Sequence, residues 1–455
     1  MTFQTNFPLY PAKLPFVTVS SKGMSNGLSD IPNDGADFGP DTLLRTSSKG
    51  QYGPPYTQTS GIQEAWNYAF ANAVEYTNYG TGNYWMKPIL LLDGVFTVNQ
   101  KVFLSPSVRI FNPKMIGSGS MSTYVMWNFN DNCIEIDHTN GNIRYSNIEI
   151  SSMQPVGGAN VGPGTAFFAA NYVSGDPAYQ ANVFQSYDMD FSNTFNGNAM
   201  FSLTGFQNII LYNIEAYDGG TYGGLYSENT NTVQILGSIM HGHYASFYLN
   251  NVNSLVMYGT ETGGSGGVLS NVNFVHIDYY EAYSSLIING NVGYIHIENI
   301  FSPTPYPFLT NQTNTPVTID KLKIDRLNVI ANTFTFTNSS YITVNDISID
   351  TINIASGASI NIPILSTVSG TTAGTVNLRF RDYSTSYKKL VITFSGYEND
   401  TTTNQTISYP LPFSTTAVIT ANNTGLTIST STTGITITSP NSTTTYSGIV
   451  IVEGY

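Results

Sequence analysis

Between Asn208 and Glu298 the chain repeats itself. Five rows open NIILYNIEAY (Asn208), TVQILGSIMH (Thr232), SLVMYGTETG (Ser254), NFVHIDYYEA (Asn273) and GYIHIENIFS (Gly293), offset by 24, 22, 20 and 20 residues. Each starts with a two-step apolar alternation: Ile209/Leu211, Val233/Ile235, Leu255/Met257, Val275/Ile277 and Ile295/Ile297. Period-two alternation marks a half-buried strand. Repetition every twenty-odd residues marks a solenoid. Row length varies while the strand pattern holds, so insertions belong to the turns. Short strands stacked row on row, without helical periodicity, predict a parallel β-helix. The residues between the inward pairs then form an outward column: Ile210, Gln234, Val256, His276, His296.

Composition agrees. Charged residues make up 10% of the 455 and the net charge is −13, which argues against a nucleic-acid partner. Thirty-one tyrosines, with abundant Asn, Thr, Ser and Gly, favour strands and turns. A 41% hydrophobic share is not that of a disordered chain. The single Cys133 excludes an intrachain disulfide and a cysteine zinc site, and is expected as a buried small hydrophobe. No cofactor or metal is expected.

The N-terminus has no charged region followed by an apolar core, so no secretory signal is expected, and no apolar run reaches the 18 residues of a membrane span. Glycosylation sequons stand at Asn311, Asn338, Asn399, Asn404, Asn422 and Asn441, with none in residues 1–310. Such triplets also arise by chance in Thr/Asn-rich sequence, but their clustering points to an exposed distal end.

Residues 1–30 read as an extended arm or anchor. Ile62, Ala65, Trp66, Ala69, Phe70 and Ala73 fall at helical spacing behind an N-cap at Ser60 or Thr59, the one convincing helix. A helix lying across a solenoid end covers apolar interior and unpaired backbone. Coils are expected from about Leu90 to Tyr383, with residues 155–181 looping out. Asparagines recurring near row boundaries (Asn231, Asn253, Asn273, Asn291) fit left-handed turns and interstrand ladders. After residue 385 short alternating strands with Thr/Asn/Ser turns predict an antiparallel β-sandwich over 386–455.

The segments DGADFGPDT, SGIQEAWNYAFANA and ILLLDGVFTV stand in the order found at the start of the pectin-lyase-like right-handed β-helix superfamily, which the N-terminal half resembles. Phage tailspikes and polysaccharide-degrading enzymes share that fold. Paired aspartates of the family motif are reduced here to Asp41, and Asp93 replaces the usual proline. The resemblance implies a capped right-handed β-helix over 31–385 and, because such spikes are commonly trimers, a homotrimer. The C-terminal YPLPFSTTAVIT and GIVIVEGY resemble small head domains of viral fibre and turret proteins. The charge-poor, Tyr/Asn/Thr-rich style resembles surface proteins of viruses of thermophilic archaea.

Adjacent coils stack about 4.8 Å apart, so equivalent positions can bring carboxylates into the range of about 5–9.5 Å that glycosidases use. Glu215, Glu261 and Glu281 occupy nearly the same row position, Glu261 and Glu281 as neighbours, and Asp188 and Asp190 are read as sharing one strand face. These are the catalytic candidates; the alternative is solvated charge on a polar face. His241 and His243 pair similarly, without a third ligand for a metal. Among the central tyrosines, Tyr217, Tyr222, Tyr244, Tyr258 and Tyr280 are candidates for binding, since a ring face with a hydroxyl suits sugars; the alternative is packing between coils or subunits. The expected protein is a virion surface spike that attaches to host glycan or glycoprotein and meets other virion proteins through its N-terminal region. A polysaccharide-depolymerising spike and a purely structural component are the other two readings.

Overall fold

The computed structural model describes residues 16–21, 36–40, 57–75, 82–105, 108–111, 113–136, 145–162, 164–171, 183–191, 199–216, 221–242, 244–262, 266–281, 283–302, 307–330, 333–337, 341–344, 347–354, 359–362, 365–369, 375–382, 388–397, 405–408, 416–422, 424–432, 434–438 and 446–454. They form a nearly all-β chain with a parallel β-helix and one α-helix, Ile62–Ala71. Two compact units divide it, Met1–Tyr248 and Leu249–Tyr455.

In the first unit, strands pair in parallel from coil to coil. Lys114–Ile116 pairs with Ile148–Ser151, that strand with Val183–Phe191, and that in turn with Asn208–Ala216. A second series runs Val102–Leu104, Ile134–Ile136, Ala166–Asn171, Ala199–Thr204. In the second unit Gly267–Glu281, Val292–Ser302, Val317–Val329 and Ile347–Ile354 pair in parallel. The register is the one the rows dictate. Ile209 and Leu211 stand beside Val233 and Ile235. Val275 and Ile277 stand beside Ile295 and Ile297, and these beside Leu322 and Ile324. All ten inward residues of the five rows are 0% exposed.

Corners follow from the same count. The residue four before the first inward position is left-handed in successive rows: Gly205 (φ 79°), Asn229 (52°), Asn251 (54°), Asn271 (55°). The residue four after it is left-handed too: Ser152 (56°), Asp188 (53°), Asn213 (52°), Gly237 (53°), Gly259 (58°). Gly and Asn tolerate this region, where a β-branched side chain is strained. Asparagines also bond coil to coil: Asn271 Nδ2 donates to Asn251 Oδ1 at 3.2 Å and Asn273 Nδ2 to Asn253 Oδ1 at 3.0 Å. Asn271→Gly is therefore expected to cost within about 1 kcal/mol, and Asn271→Val about 1–3 kcal/mol. Chemical denaturation of the two variants checks the order.

The helix buries Ile62, Ala65, Trp66 and Ala69, as its spacing predicts. The residue before it is Gly61 at φ 84°, not Ser60; Gly39 backbone 2.6 Å from a Cβ placed there excludes a side chain. Thr59 Oγ1 still accepts from the Gln63 N–H at 3.3 Å.

Three expectations need correction. Within the segment read as an arm, Val17–Val19 is a buried strand paired in parallel with Ile89–Leu91, because its alternation is too short to stand out among prolines. Within 155–181, Ala166–Asn171 is a core strand: Phe167 and Phe168 are both 0% exposed, so the run is buried on both faces and shows no alternation. Phe167 packs on Trp127 at 5.6 Å and Phe168 stacks on Phe184 at 5.4 Å. Finally, parallel pairing ends before residue 385. Ser359–Ile362 pairs antiparallel with Leu365–Ser369, and Thr375–Asp382, read as a late coil, pairs antiparallel with Ile347–Ile354 and with Lys388–Tyr397. Alternation reports a half-buried strand but not the direction of its partner.

Beyond that switch, Lys388–Tyr397, Tyr446–Gly454 and Val418–Asn422 are antiparallel neighbours. Gln405–Ser408, Gly434–Thr438 and Thr427–Thr430 form another antiparallel sheet. Ile435, Val450 and Val452 are buried, and Thr430 Oγ1 donates to the Ala417 carbonyl at 2.7 Å.

Candidate functional site

On the outer face of the first unit, four tyrosines meet. Tyr222 comes from the turn before the strand Leu225–Leu236, Tyr226 from that strand, Tyr244 from the following turn and Tyr248 from Phe247–Tyr258. In each strand the inward neighbours (Leu225, Ser227, Phe247, Leu249) are buried, which turns the tyrosines outward. Tyr226 and Tyr248 stack at 4.8 Å with 5° between their planes. Tyr222 lies 5.5 Å from Tyr226, 4.9 Å from Tyr248 and 5.7 Å from Tyr244, the last edge to face. Tyr226 donates its hydroxyl hydrogen to Glu228 Oε1 at 2.7 Å. Burial, then that bond and the Glu228 charge, push the Tyr226 phenol far up, so it stays protonated. Burial pushes Tyr222 and Tyr248 up as well. The result is a rigid shelf of ring edges and hydroxyls, each phenolic oxygen carrying a proton and lone pairs. Tyr222 and Tyr244 were legible as candidates; Tyr226 and Tyr248 join them because one row length separates them.

The carboxylates fall differently. The chain turns at Asp188, whose left-handed backbone makes it a corner residue, and Ser120 Oγ donates to its Oδ1 at 3.1 Å. Asp188 and Asp190 therefore do not share a strand face. Asp190 instead stands in register beside Glu215 of the next coil. Burial first, then the Glu215 charge, holds the Asp190 carboxyl above its ordinary value. In the second unit, the charges of both Glu261 and Glu281 reach Tyr279 and Tyr283. Burial and then Glu281 raise the Tyr279 phenol; Glu281 acts first on Tyr283.

Tyr280 is a core side chain, 1% exposed, whose hydroxyl donates to the Ser284 carbonyl at 3.1 Å; burial pushes its phenol up. Its position in the row assigned it outward, but the corner reverses the alternation. Tyr258 is exposed and packs on His276 at 5.1 Å. The His241 main chain anchors the turn beneath Tyr222: its N–H donates to Ala216 O at 2.7 Å, and its carbonyl packs on Gly223. Tyr217 and His243 lie outside the described residues, as do Asn338, Asn399, Asn404 and Asn441. Asn311 Nδ2, the atom a glycan would take, donates to Ile288 O at 2.8 Å and Thr315 O at 3.2 Å. Asn422 is exposed, and its Nδ2 donates to Leu426 O at 2.9 Å. Cys133 is buried and its thiol is pushed well up.

One cluster was only half legible. The outward column continues from His276 through His296 to Lys323. The two Nδ1 atoms lie 3.2 Å apart, so one donates and the other accepts. His296 Nε2 is 3.0 Å from Asp325 Oδ2, and Lys323 Nζ is 2.6 Å from Asp325 Oδ1. His276 Nε2 lies 3.3 Å from Glu298 Oε1 without hydrogen-bond alignment. The row between His296 and Lys323 is 27 residues, longer than its predecessors, and hides Lys323 and Asp325 from a fixed-period reading. Among the described residues no group of three or more His, Cys, Asp or Glu is arranged to hold a metal ion.

A buried polar cluster near the first coils has a structural role. Glu149, 2% exposed, is paired with Lys114 and accepts from Gln185 Nε2 and the Tyr187 hydroxyl at 2.8 Å each. Burial pushes its carboxyl up, but these bonds outweigh burial and hold it below its ordinary value. A depressed folded value contributes stability that is full above the ordinary carboxylate range and lost as pH falls through the depressed value. Lys114→Met is expected to cost about 2 kcal/mol at neutral pH and to move the acid-unfolding midpoint to higher pH. An acid titration followed by circular dichroism measures both. Comparison with known protein families, with curated proteins and with solved structures finds no match for this chain.

Proposed function

We propose that the chain is an attachment protein of the virion-surface type, binding cell-surface glycan or glycoprotein through the outer face of its β-helix. The observation that carries this reading is the shelf of Tyr222, Tyr226, Tyr244 and Tyr248 with Glu228 beneath Tyr226. Rings held by one another lose little freedom when a ligand lands on them, and each offers a C–H-binding surface beside a hydroxyl. The virion setting rests on the resemblance of the N-terminal segment to tailspike β-helices. The two C-terminal antiparallel sheets fit a sandwich head, and a homotrimer would multiply weak contacts into avidity. No helix among the described residues is long and apolar enough to cross a membrane.

Asp190 and Glu215 favour a second reading. One carboxyl that keeps its proton, in register beside another on the next coil, is the pairing that acid–base glycan cleavage needs. One experiment separates the two. The full chain is incubated with envelope glycans, and both retention and release of reducing ends are measured. Retention without release is the expected result. Release that disappears in Asp190→Asn would establish the depolymerase instead, and neither retention nor release would leave a structural role.

A further inference from the structure

The first observation bearing on ligand class is electrostatic. Between Arg144 and Lys321 the sequence contains no lysine or arginine, yet it holds twelve aspartates and glutamates. The tyrosine shelf lies inside that stretch. Glu228 is fixed against the shelf by the Tyr226 hydroxyl. A uronate, sulfate or phosphate group arriving there would find no lysine or arginine from the surrounding coils and one carboxylate held in place.

The second observation is geometric. Holding an ammonium group by its charge needs ring faces standing open toward it. Tyr226 and Tyr248 instead cover each other at 4.8 Å, and Tyr222 leans on both. What remains outward is ring edge and hydroxyl. The Tyr226 proton is already given to Glu228, so the oxygen of Tyr226 and the carboxylate both accept from a ligand. A surface of acceptors beside apolar ring carbons matches a sugar that donates O–H and N–H bonds and presents a C–H face.

Resting on the attachment reading above, we infer that the shelf takes an uncharged glycan, a neutral hexose or N-acetylhexosamine chain, and that Glu228 is the residue that turns acidic glycans away. One like charge about 7 Å from a ligand carboxylate at a wet surface changes affinity roughly three- to fivefold. Several acidic sugars along one chain multiply the effect.

The test uses the full chain against five immobilised oligosaccharides: mannohexaose, cellohexaose, N-acetylchitohexaose, hexagalacturonate and fully deacetylated chitohexaose. At least one neutral hexamer is expected to bind, with affinity flat between low and high salt. Hexagalacturonate is expected to bind at least about tenfold more weakly. Glu228→Gln keeps an acceptor for Tyr226, so the neutral affinity should stay and hexagalacturonate should gain roughly three- to fivefold. Hexagalacturonate binding as tightly as the neutral hexamers overturns the selectivity. So does deacetylated chitohexaose preferred with salt-sensitive binding, or a Glu228→Gln effect equal on neutral and acidic chains. In each of those cases, loss of binding in Tyr226→Ala keeps the shelf as the site and sinks only its ligand class. If no hexamer binds, and Tyr226→Ala is retained on whole envelope glycans like the unaltered chain, the shelf itself fails, and the selectivity with it.

Discussion

Phe184→Ala is expected to destabilise the first unit by about 3–5 kcal/mol, the usual cost of deleting a fully buried aromatic ring. Phe184 is 0% exposed and belongs to the inward column that passes from Ile148 through Phe184 to Ile209. Its ring stacks on Phe168 at 5.4 Å and packs on Phe201 at 5.0 Å and Phe206 at 6.2 Å. The last two come from the coil after it, and Phe168 from the other strand series. Alanine at 184 thus opens a cavity where both series of strands meet. In a solenoid each coil touches only its neighbours, so the loss should be local before it is global. Hydrogen exchange is expected to accelerate most in Ala166–Asn171 and Ala199–Thr204. Tyr212→Ala is the comparison: that side chain is 58% exposed and its removal should cost no more than about 0.5 kcal/mol. Equal destabilisation by the two substitutions would contradict the assigned interior.

The second large effect is on binding. The double substitution Tyr226→Ala, Tyr248→Ala removes the stacked pair at the centre of the shelf. Anchors of this type contribute about 1–2 kcal/mol each. Together they should weaken retention roughly thirtyfold to several-hundredfold, since about 1.4 kcal/mol is tenfold. Oligomeric avidity would enlarge the loss seen on intact cell surfaces. Both residues alternate with buried neighbours, so the backbone register should survive; far-ultraviolet circular dichroism checks this. Tyr212→Ala, outside the shelf, should bind like the unaltered chain. Equal binding by the double variant and the unaltered chain would move attachment elsewhere.

Much of the fold can be read from the rows, because burial on one face imprints a period of two. Ile209 to Ile297 show this without exception: each residue read as inward is buried in register with its counterpart on the neighbouring coil. Reading fails where the period is absent. Ala166–Asn171 is buried on both faces, so AFFAAN gives no alternation, and its glycine-rich surroundings resemble a loop. It fails again at corners. Asp188 reverses the direction of everything after it through one left-handed residue, and Tyr280 ends inside for a related reason, with Ile277 buried three residues before it. Sites fare worse than strands because a site depends on which coils are neighbours. Asp190 and Glu215 were both visible as acids, but pairing them needs the 25-residue offset between their coils. The tyrosine shelf is an intermediate case: Tyr226 and Tyr248 fall 22 residues apart, the same offset as Val233 and Leu255.

Hydrogen–deuterium exchange of the full chain, with and without a neutral oligosaccharide that it retains, tests the central claim most directly. The account predicts slowed exchange in Thr221–Asn231 and Tyr244–Leu249, with the Tyr226→Ala, Tyr248→Ala variant showing none. Protection confined to the coils that carry His276, His296 and Lys323, or to those around Glu261 and Glu281, would contradict it.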